Sequence, residues 1–489
     1  MLQFLETIWE FFANNILTQP QYFIGLMVVI GYILLRRAWY DVLAGFIKAT
    51  AGFMILQVGA GGLVGNFRPI LVGLKDRFNL DAMVIDPYFG QNAVQAGLMD
   101  VFGRTFSSVM LLLLIAFIFN ILLVAFKKYT KMRAIFTTGH VQLQQAATAF
   151  WLILFAFPTL NDPMILLLMG LVLGLYWAVG TNLTVRITQD LTDGAGFSIA
   201  HQQMFGLALF SYLAEKMNTG KNKSKRLEDM KFPGFLQIFN ENLVATTILM
   251  TFFFGIILLV LGKPYLITAG QMTESSSFFF YILTTALRFG VYLSILQLGV
   301  RTFVTELSNS FVGISTRLLP GAVPGVDCAV SYGFGSPNAV TLGFLFGALG
   351  QFLAIGALIL FKSPVLVIAG FVPVFFDNAT IAVFANNKGG VRAAMLFPFI
   401  AGLVQVFGSA FIASWVGMAA YGGYLGMFDW ATVWPFFTVL MKYLSYGGVA
   451  VIVILLVLIP QLQYRHDKEN YFLVTEDYEQ YKLNKGIVA

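Results

Sequence analysis

Long apolar runs alternate with short polar breaks along almost the whole chain, and about eleven runs approach the roughly 20 residues that a helix needs to cross a bilayer. They lie near residues 16–35, 42–64, 104–126, 143–158, 163–180, 241–262, 277–300, 338–361, 364–384, 393–417 and 433–459. This pattern predicts an all-α polytopic membrane protein. Two stretches break it. Residues 66–100 and 308–335 are semi-polar, rich in Gly and Pro, and too long for tight loops. They are expected to re-enter the membrane as hairpins. Non-helical backbone survives at that depth only where it lines a cavity or protein covers it. Residues 190–207 form a third such stretch.

Polar islands interrupt the apolar background. Gly139-His140-Val141-Gln142-Leu143-Gln144-Gln145 and Gly196-Phe197-Ser198-Ile199-Ala200-His201-Gln202-Gln203 adjoin predicted spans, and Pro324-Gly325-Val326-Asp327 places a carboxylate in a similar setting. An unpaired polar group in hydrocarbon costs several kcal/mol, so such islands point to a hydrated pocket. Gln57, Gln297, Asn338 and Gln351 add further amides. Amides donate and accept together, which suits a polyhydroxylated solute, and histidine adds a donor for partial negative charge. Any single Gln in a span also serves as helix-to-helix glue. His140 and Gln144 share a helical face. Two histidines without a third ligand make a poor metal site, so no metal is expected.

Composition agrees with the pattern. Of 489 residues, 58% are hydrophobic and 11% charged, against roughly 25% charge in soluble domains. The net charge of +6 does not point to nucleic acid, because the basic residues sit in loops, where they set topology. The clusters Arg36-Arg37, Lys127 to Arg133, Lys216 to Lys231 and Lys388 to Arg392 are separated by two, two and four runs. Placing all four in the cytoplasm is self-consistent, with the N-terminus outside and the C-terminal tail inside. No cleavable signal is expected at the N-terminus. The single cysteine, Cys328, excludes a disulfide framework and reads as packing.

The chain also repeats itself. Ile55-Leu56-Gln57-Val58-Gly59 recurs as Ile295-Leu296-Gln297-Leu298-Gly299, Asp86 corresponds to Asp327, and Thr138-Gly139-His140-Val141 aligns with Ala369-Gly370-Phe371-Val372. An odd number of spans per unit requires the second copy to be inverted, a hallmark of alternating-access transporters. The expected organisation is a membrane permease over 1–460, with repeats near 16–215 and 240–417 and an extra span at 433–459, then a tail at 461–489.

Longer motifs carry a resemblance. Thr138-Gly139-His140 with Gln144-Gln145, Asp193 to Gln203, Leu319-Pro320-Gly321-Ala322-Val323 with Asp327-Cys328-Ala329, and Gly370 to Thr380 resemble the ascorbate-specific IIC component of the bacterial phosphoenolpyruvate-dependent phosphotransferase system. The resemblance runs from about residue 20 to about 460. It implies a homodimeric inner-membrane permease with a dimerising domain and an elevator-type core domain. The implied solute is L-ascorbate, phosphorylated to L-ascorbate 6-phosphate by a separate IIB protein that IIA charges. The substrate positions it implies are Pro87, Tyr88, His140, Val141, Gln142, Leu143, Gln144, His201, Gln202 and Asp327. Tyr88 is the loosest match. No cofactor and no catalytic residue are implied in this chain. The rival reading is an ion-coupled secondary transporter of a sugar acid, with Asp327 as the ion ligand.

Overall fold

The computed structural model describes residues 11–12, 15–16, 19–78, 82–104, 107–219, 224–228, 242–317, 319, 321–370 and 372–486. The lysines at 221, 223 and 231, with Pro320 and Phe371, lie outside these. The described chain is predominantly helical. Five of its helical segments are long and apolar enough to cross a membrane, and three shorter apolar helices accompany them. Two predicted runs are not single helices. The run at 364–384 opens with a strand, Leu366–Ala369. That at 433–459 breaks at Ser445 (φ 52°) into Val433–Leu444 and Tyr446–His466.

Four helices form one packed group: α1 (Pro20–Leu34), α2 (Trp39–Phe78), α8 (Asn242–Leu261) and α9 (Phe278–Arg317). Helices α2 and α9 are 40 residues each. They run antiparallel, since Gly52 abuts Phe303 while Gly62, further along, abuts the Tyr292 ring. Large apolar side chains stand exposed along both, among them Trp39, Leu43, Ile47 and Val58 on α2 and Phe279, Val291 and Leu298 on α9. On a chain surrounded by lipid, such a face carries no desolvation penalty.

The remaining chain builds a second group around two small sheets. Strand β1 (Ala82–Ile85) comes after α2 and feeds α3 (Pro87–Phe102). Helix α4 (Ser107–Ala125) leads to β2 (Ala134–Phe136), then α5 (Gly139–Ala156) and α6 (Asp162–Thr192). Strand β3 (Ser198–Ile199) precedes α7 (Met204–Met217). After α9 come β4 (Val323–Val326), a 3₁₀ turn at Cys328–Gly333, and α10 (Pro337–Leu360). Strand β5 (Leu366–Ala369) leads to α11 (Asn378–Trp415), β6 (Gly423–Tyr424), α12 (Val433–Leu444) and α13 (Tyr446–His466). Helix α11 kinks at Gly390. Its φ of 68° falls in the left-handed region that favours glycine, and a Cβ there would meet the Lys225 carbonyl at 2.5 Å.

Both sheets are parallel and three-stranded, in the orders β5-β1-β6 and β2-β4-β3. Each therefore takes its middle strand from one half of the chain and its flanking strands from the other. The three irregular stretches expected from sequence contain β1, β4 and β3 respectively. What alternation did not reveal is that they pair, because strands of two to four residues are too short to show a period. Pairing satisfies backbone groups that a helix no longer satisfies. Middle strand β4 runs close under α6: a Cβ on Gly325 would lie 2.5 Å from Thr181 Cγ2 and 2.6 Å from Ala200 Cβ.

The tail is not a free appendage. Helix α13 continues to His466, and α14 (Tyr478–Lys485) comes after a short turn. The tail grips the approaches to all three strands of the second sheet. Before β2, the Tyr471 hydroxyl donates to the Lys131 carbonyl (2.6 Å), the Arg133 guanidinium stacks on the Tyr471 ring (3.6 Å), and Lys127 pairs with Glu476 (3.0 Å). Before β4, Thr475 Oγ1 donates to the Gly321 carbonyl (3.2 Å). Before β3, Lys482 pairs with Asp193 (3.0 Å).

Three variants test this packing. Gly325→Val overpacks the space under α6 and is expected to cost about 1–3 kcal/mol, read as a lower thermal midpoint in detergent. Gly333→Ala, with nothing within 4 Å of the added carbon, should leave that midpoint in place. Tyr471→Ala removes a buried ring and a bridging hydroxyl, at a cost of at least about 2 kcal/mol. Hydrogen exchange should then quicken in β2-β4-β3 and not in β5-β1-β6; equal quickening in both would refute the strap.

Candidate functional site

Asp327 stands one residue past β4. Its Oδ1 accepts the Ala329 amide (2.9 Å), which caps the 3₁₀ turn and fixes the carboxylate. The other oxygen, Oδ2, is turned to two histidines: His140 Nε2 at 3.3 Å and His201 Nε2 at 3.9 Å. The histidines come from the ends of the flanking strands. His140 lies on the first turn of α5, just after β2, and His201 lies just after β3. Sheet two thus delivers three chemical groups from three distant stretches of chain to one point.

The glutamines complete the cluster in two different ways. Gln202 Nε2 donates to Gln144 Oε1 (2.7 Å), while Gln202 Oε1 and His140 Nδ1 have no protein partner. Both atoms are buried, and a buried polar atom without a partner calls for an explanation. Gln145 is committed elsewhere. It donates to the His201 carbonyl (3.1 Å) and accepts from Trp177 Nε1 (2.6 Å), bracing α5 and the His201 loop against α6. Gln142 donates to the Phe136 carbonyl (3.3 Å), which secures the β2 end. Val141 is fully buried in the core and Leu143 half-buried against it. Only His140 and Gln144 of the 140–144 run therefore join the cluster through their side chains. The Phe53 ring of α2 lies against His140, centroids 5.6 Å apart.

The first sheet presents the counterpart arrangement with a different outcome. Asp86 stands just past β1 as Asp327 stands just past β4. Both Asp86 oxygens are taken by backbone amides, Tyr88 at 3.0 Å and Val372 at 3.1 Å. It is a structural cap that holds the start of α3. Pro87 is buried at the first position of α3, and Tyr88 is partly exposed.

Residues 15–431 match the family described as PTS system sugar-specific permease component. The chain belongs to this family. It is also 33% identical over 444 residues, 82% of its length, to the ascorbate-specific PTS system EIIC component of Mycoplasma pneumoniae (strain ATCC 29342 / M129 / Subtype 1). The chain spans 66% of that relative's length, just under two thirds. The family read from the motifs is the family found.

Two neighbours stand outside the substrate positions read from sequence: Gln203, which the second polar island contains, and Asp429, which sequence reasoning passed over. Gln203 Oε1 faces His201 Nδ1 at 2.7 Å and orients that ring. Asp429 caps α7 by accepting from the Phe205 and Gly206 amides (3.0 Å each) and from the Tyr176 hydroxyl (2.8 Å). Its only signal was a carboxylate inside the apolar run Phe428-Asp429-Trp430. Gln351, one of the amides read as available to a solute, instead bonds Gln405, which in turn bonds Asp377. That network holds α10 to α11 and is glue. The premise against a metal also changes, because Asp327 supplies the third ligand that two histidines lacked.

Gln145→Leu should leave the Trp177 indole and the His201 carbonyl without partners, at about 1–3 kcal/mol. An unchanged thermal midpoint in detergent would refute the bracing role.

Proposed function

We propose that this permease is the IIC component that carries L-ascorbate across the bacterial cytoplasmic membrane, coupled to its phosphorylation to L-ascorbate 6-phosphate by a separate IIB protein that IIA charges. The observation that carries the reading is the convergence of His140, His201, Asp327 and the Gln144–Gln202 pair at the strand ends of the second sheet. The name of the Mycoplasma relative supports the choice of solute.

The chemistry suits ascorbate, a polyhydroxylated monoanion at neutral pH. Amides and imidazoles bind its lactone and hydroxyls without a permanent ion pair that would slow release. Asp327 accepts from the side-chain hydroxyls, because a carboxylate facing the enolate would repel it. The substrate positions are Pro87, Tyr88, His140 to Gln144, His201, Gln202 and Asp327. Val141 and Leu143 contribute through backbone, given where their side chains lie. The phosphorylated product, more strongly anionic, fits this site poorly and stays on the cytoplasmic side.

The architecture supports an elevator-type movement of a core against a scaffold. The α1-α2-α8-α9 group is the scaffold and dimerising part, and its exposed apolar faces are where a second copy and lipid compete. The sheet-bearing group is the core. An inverted repeat accounts for several independent facts. Helix α9 begins 278 − 39 = 239 residues after α2. Strands β1, β2 and β3 map onto β4, β5 and β6 with offsets 323 − 82 = 241, 366 − 134 = 232 and 423 − 198 = 225. The sheet order β5-β1-β6 then becomes β2-β4-β3. On this mapping the second repeat extends past 417 to include β6 and α12, and α13 is the additional span. The N-terminus faces outside and the strapped C-terminal tail the cytoplasm.

Uptake of labelled ascorbate into sealed vesicles tests the reading. Accumulation as a phosphate ester is expected only with phosphoenolpyruvate and the soluble components present. Accumulation of free ascorbate that tracks an ion gradient would overturn it and make Asp327 a coupling-ion ligand. Asp327→Asn keeps the cap geometry and removes the charge. Losing one charge-assisted hydrogen bond to the solute is expected to weaken uptake about tenfold or more, with the thermal midpoint kept. Uptake at the parent level would remove Asp327 from the site.

A further inference from the structure

We propose that His140, His201 and Asp327 form a binding site for a divalent transition-metal ion of the zinc type, and that the metal and ascorbate exclude one another there. The first half stands on the cluster alone. The second rests on the substrate reading above.

The geometry fits an ion. The three ligand atoms lie within 4.8 Å of one another. A tetrahedral ion with bonds of about 2.0–2.1 Å places its ligand atoms about 3.3–3.4 Å apart. The His140–Asp327 separation is already 3.3 Å, and the His201–Asp327 separation of 3.9 Å closes with a small ring rotation. Two imidazoles and one carboxylate are a donor set that holds zinc in sites with an open position. It suits zinc, iron, nickel or copper better than magnesium or calcium. The Cys328 thiol is turned toward the Phe376 carbonyl (3.9 Å) and takes no part. His140 is partly exposed, while His201 and Asp327 are buried.

The surroundings are built as metal sites are. Gln203 Oε1 faces His201 Nδ1 and calls for a proton there; in the neutral imidazole Nε2 then presents its lone pair toward the Asp327 carboxylate. Two acceptors then face each other, an arrangement that a cation between them relieves. On the other side, the Ala329 amide holds Asp327 Oδ1 and leaves Oδ2 to the two imidazoles. Both ligands are thus oriented by partners of their own, as outer-shell groups do in metal sites.

Cobalt(II) is the probe, added to the purified full-length permease in detergent; ascorbate does not reduce it. One equivalent is expected to develop the visible d–d bands of a four- or five-coordinate ion. His140→Gln, His201→Gln and Asp327→Asn should each abolish them, with thermal unfolding of each variant verifying that it remains folded. His466→Gln changes the third histidine of the chain and should leave them intact. Gln203→Ala should weaken cobalt about 10–100-fold. Absence of the bands, or their loss only with His466→Gln, would overturn the metal site. Ascorbate should bleach the bands in proportion to its occupancy. Bands that persist at saturating ascorbate overturn mutual exclusion. Ascorbate binding to the metal-free protein then tells whether the substrate reading has failed with it.

Discussion

Peptide groups that leave a helix within a bilayer must find partners inside the protein, because lipid offers none. A solute site needs such departures, since side chains on continuous helices diverge and a polar pocket needs several of them to converge. This chain meets both demands with two three-stranded parallel sheets. Every strand is short, and each sheet closes only when both halves of the chain contribute. The strand ends are where the chain turns back into helix, and the clustered imidazoles and carboxylate stand there. His140, His201 and Asp327 are placed by hydrogen-bonded backbone, and the long helices act through it.

The two sheets share a plan and differ in chemistry. Each middle strand ends in an aspartate that caps the next helical turn. Asp86 spends both oxygens on amides and becomes part of the frame. Asp327 spends one and keeps the other for two imidazoles. Two sheets of the same plan can thus differ in use, one aspartate facing imidazoles and the other serving as a brace. Fully satisfied polar groups give rigidity, whereas an unpaired buried one is costly. The unfilled atoms of His140 and Gln202 belong to the second kind.

Much of this was legible in the sequence, for physical reasons. A bilayer imposes long apolar runs, so the helical membrane character was plain. Buried polar groups are costly, so the His140 and His201 islands and Asp327 stood out against that background, and the structure brings these three together. The division of labour among glutamines was not legible. Gln144 and Gln145 are neighbours of the same type, and only the position of Trp177 decides that one is a brace. Strand pairing was equally hidden, because two to four residues carry no period and partners lie hundreds of residues apart. The breaks at Ser445 and Gly390 show the same limit: hydropathy reports what is apolar, not where a helix stops.

The crossing of strands between halves has a consequence for how the protein is made. Strand β1 begins at residue 82 and its partner β5 at residue 366, so 366 − 82 = 284 residues must be synthesised in between. At about 5–20 residues per second this takes roughly 15–60 s. During that interval the first half sits in the membrane with unpaired strand edges, and the site lacks its carboxylate until β4 and Asp327 follow. Insertion machinery must shelter an incomplete sheet until the second half threads its own strands beside it. Maturation is therefore late and stepwise: the second sheet and the site can close once β4 and Asp327 have been made, and the first sheet only when β5 and β6 follow.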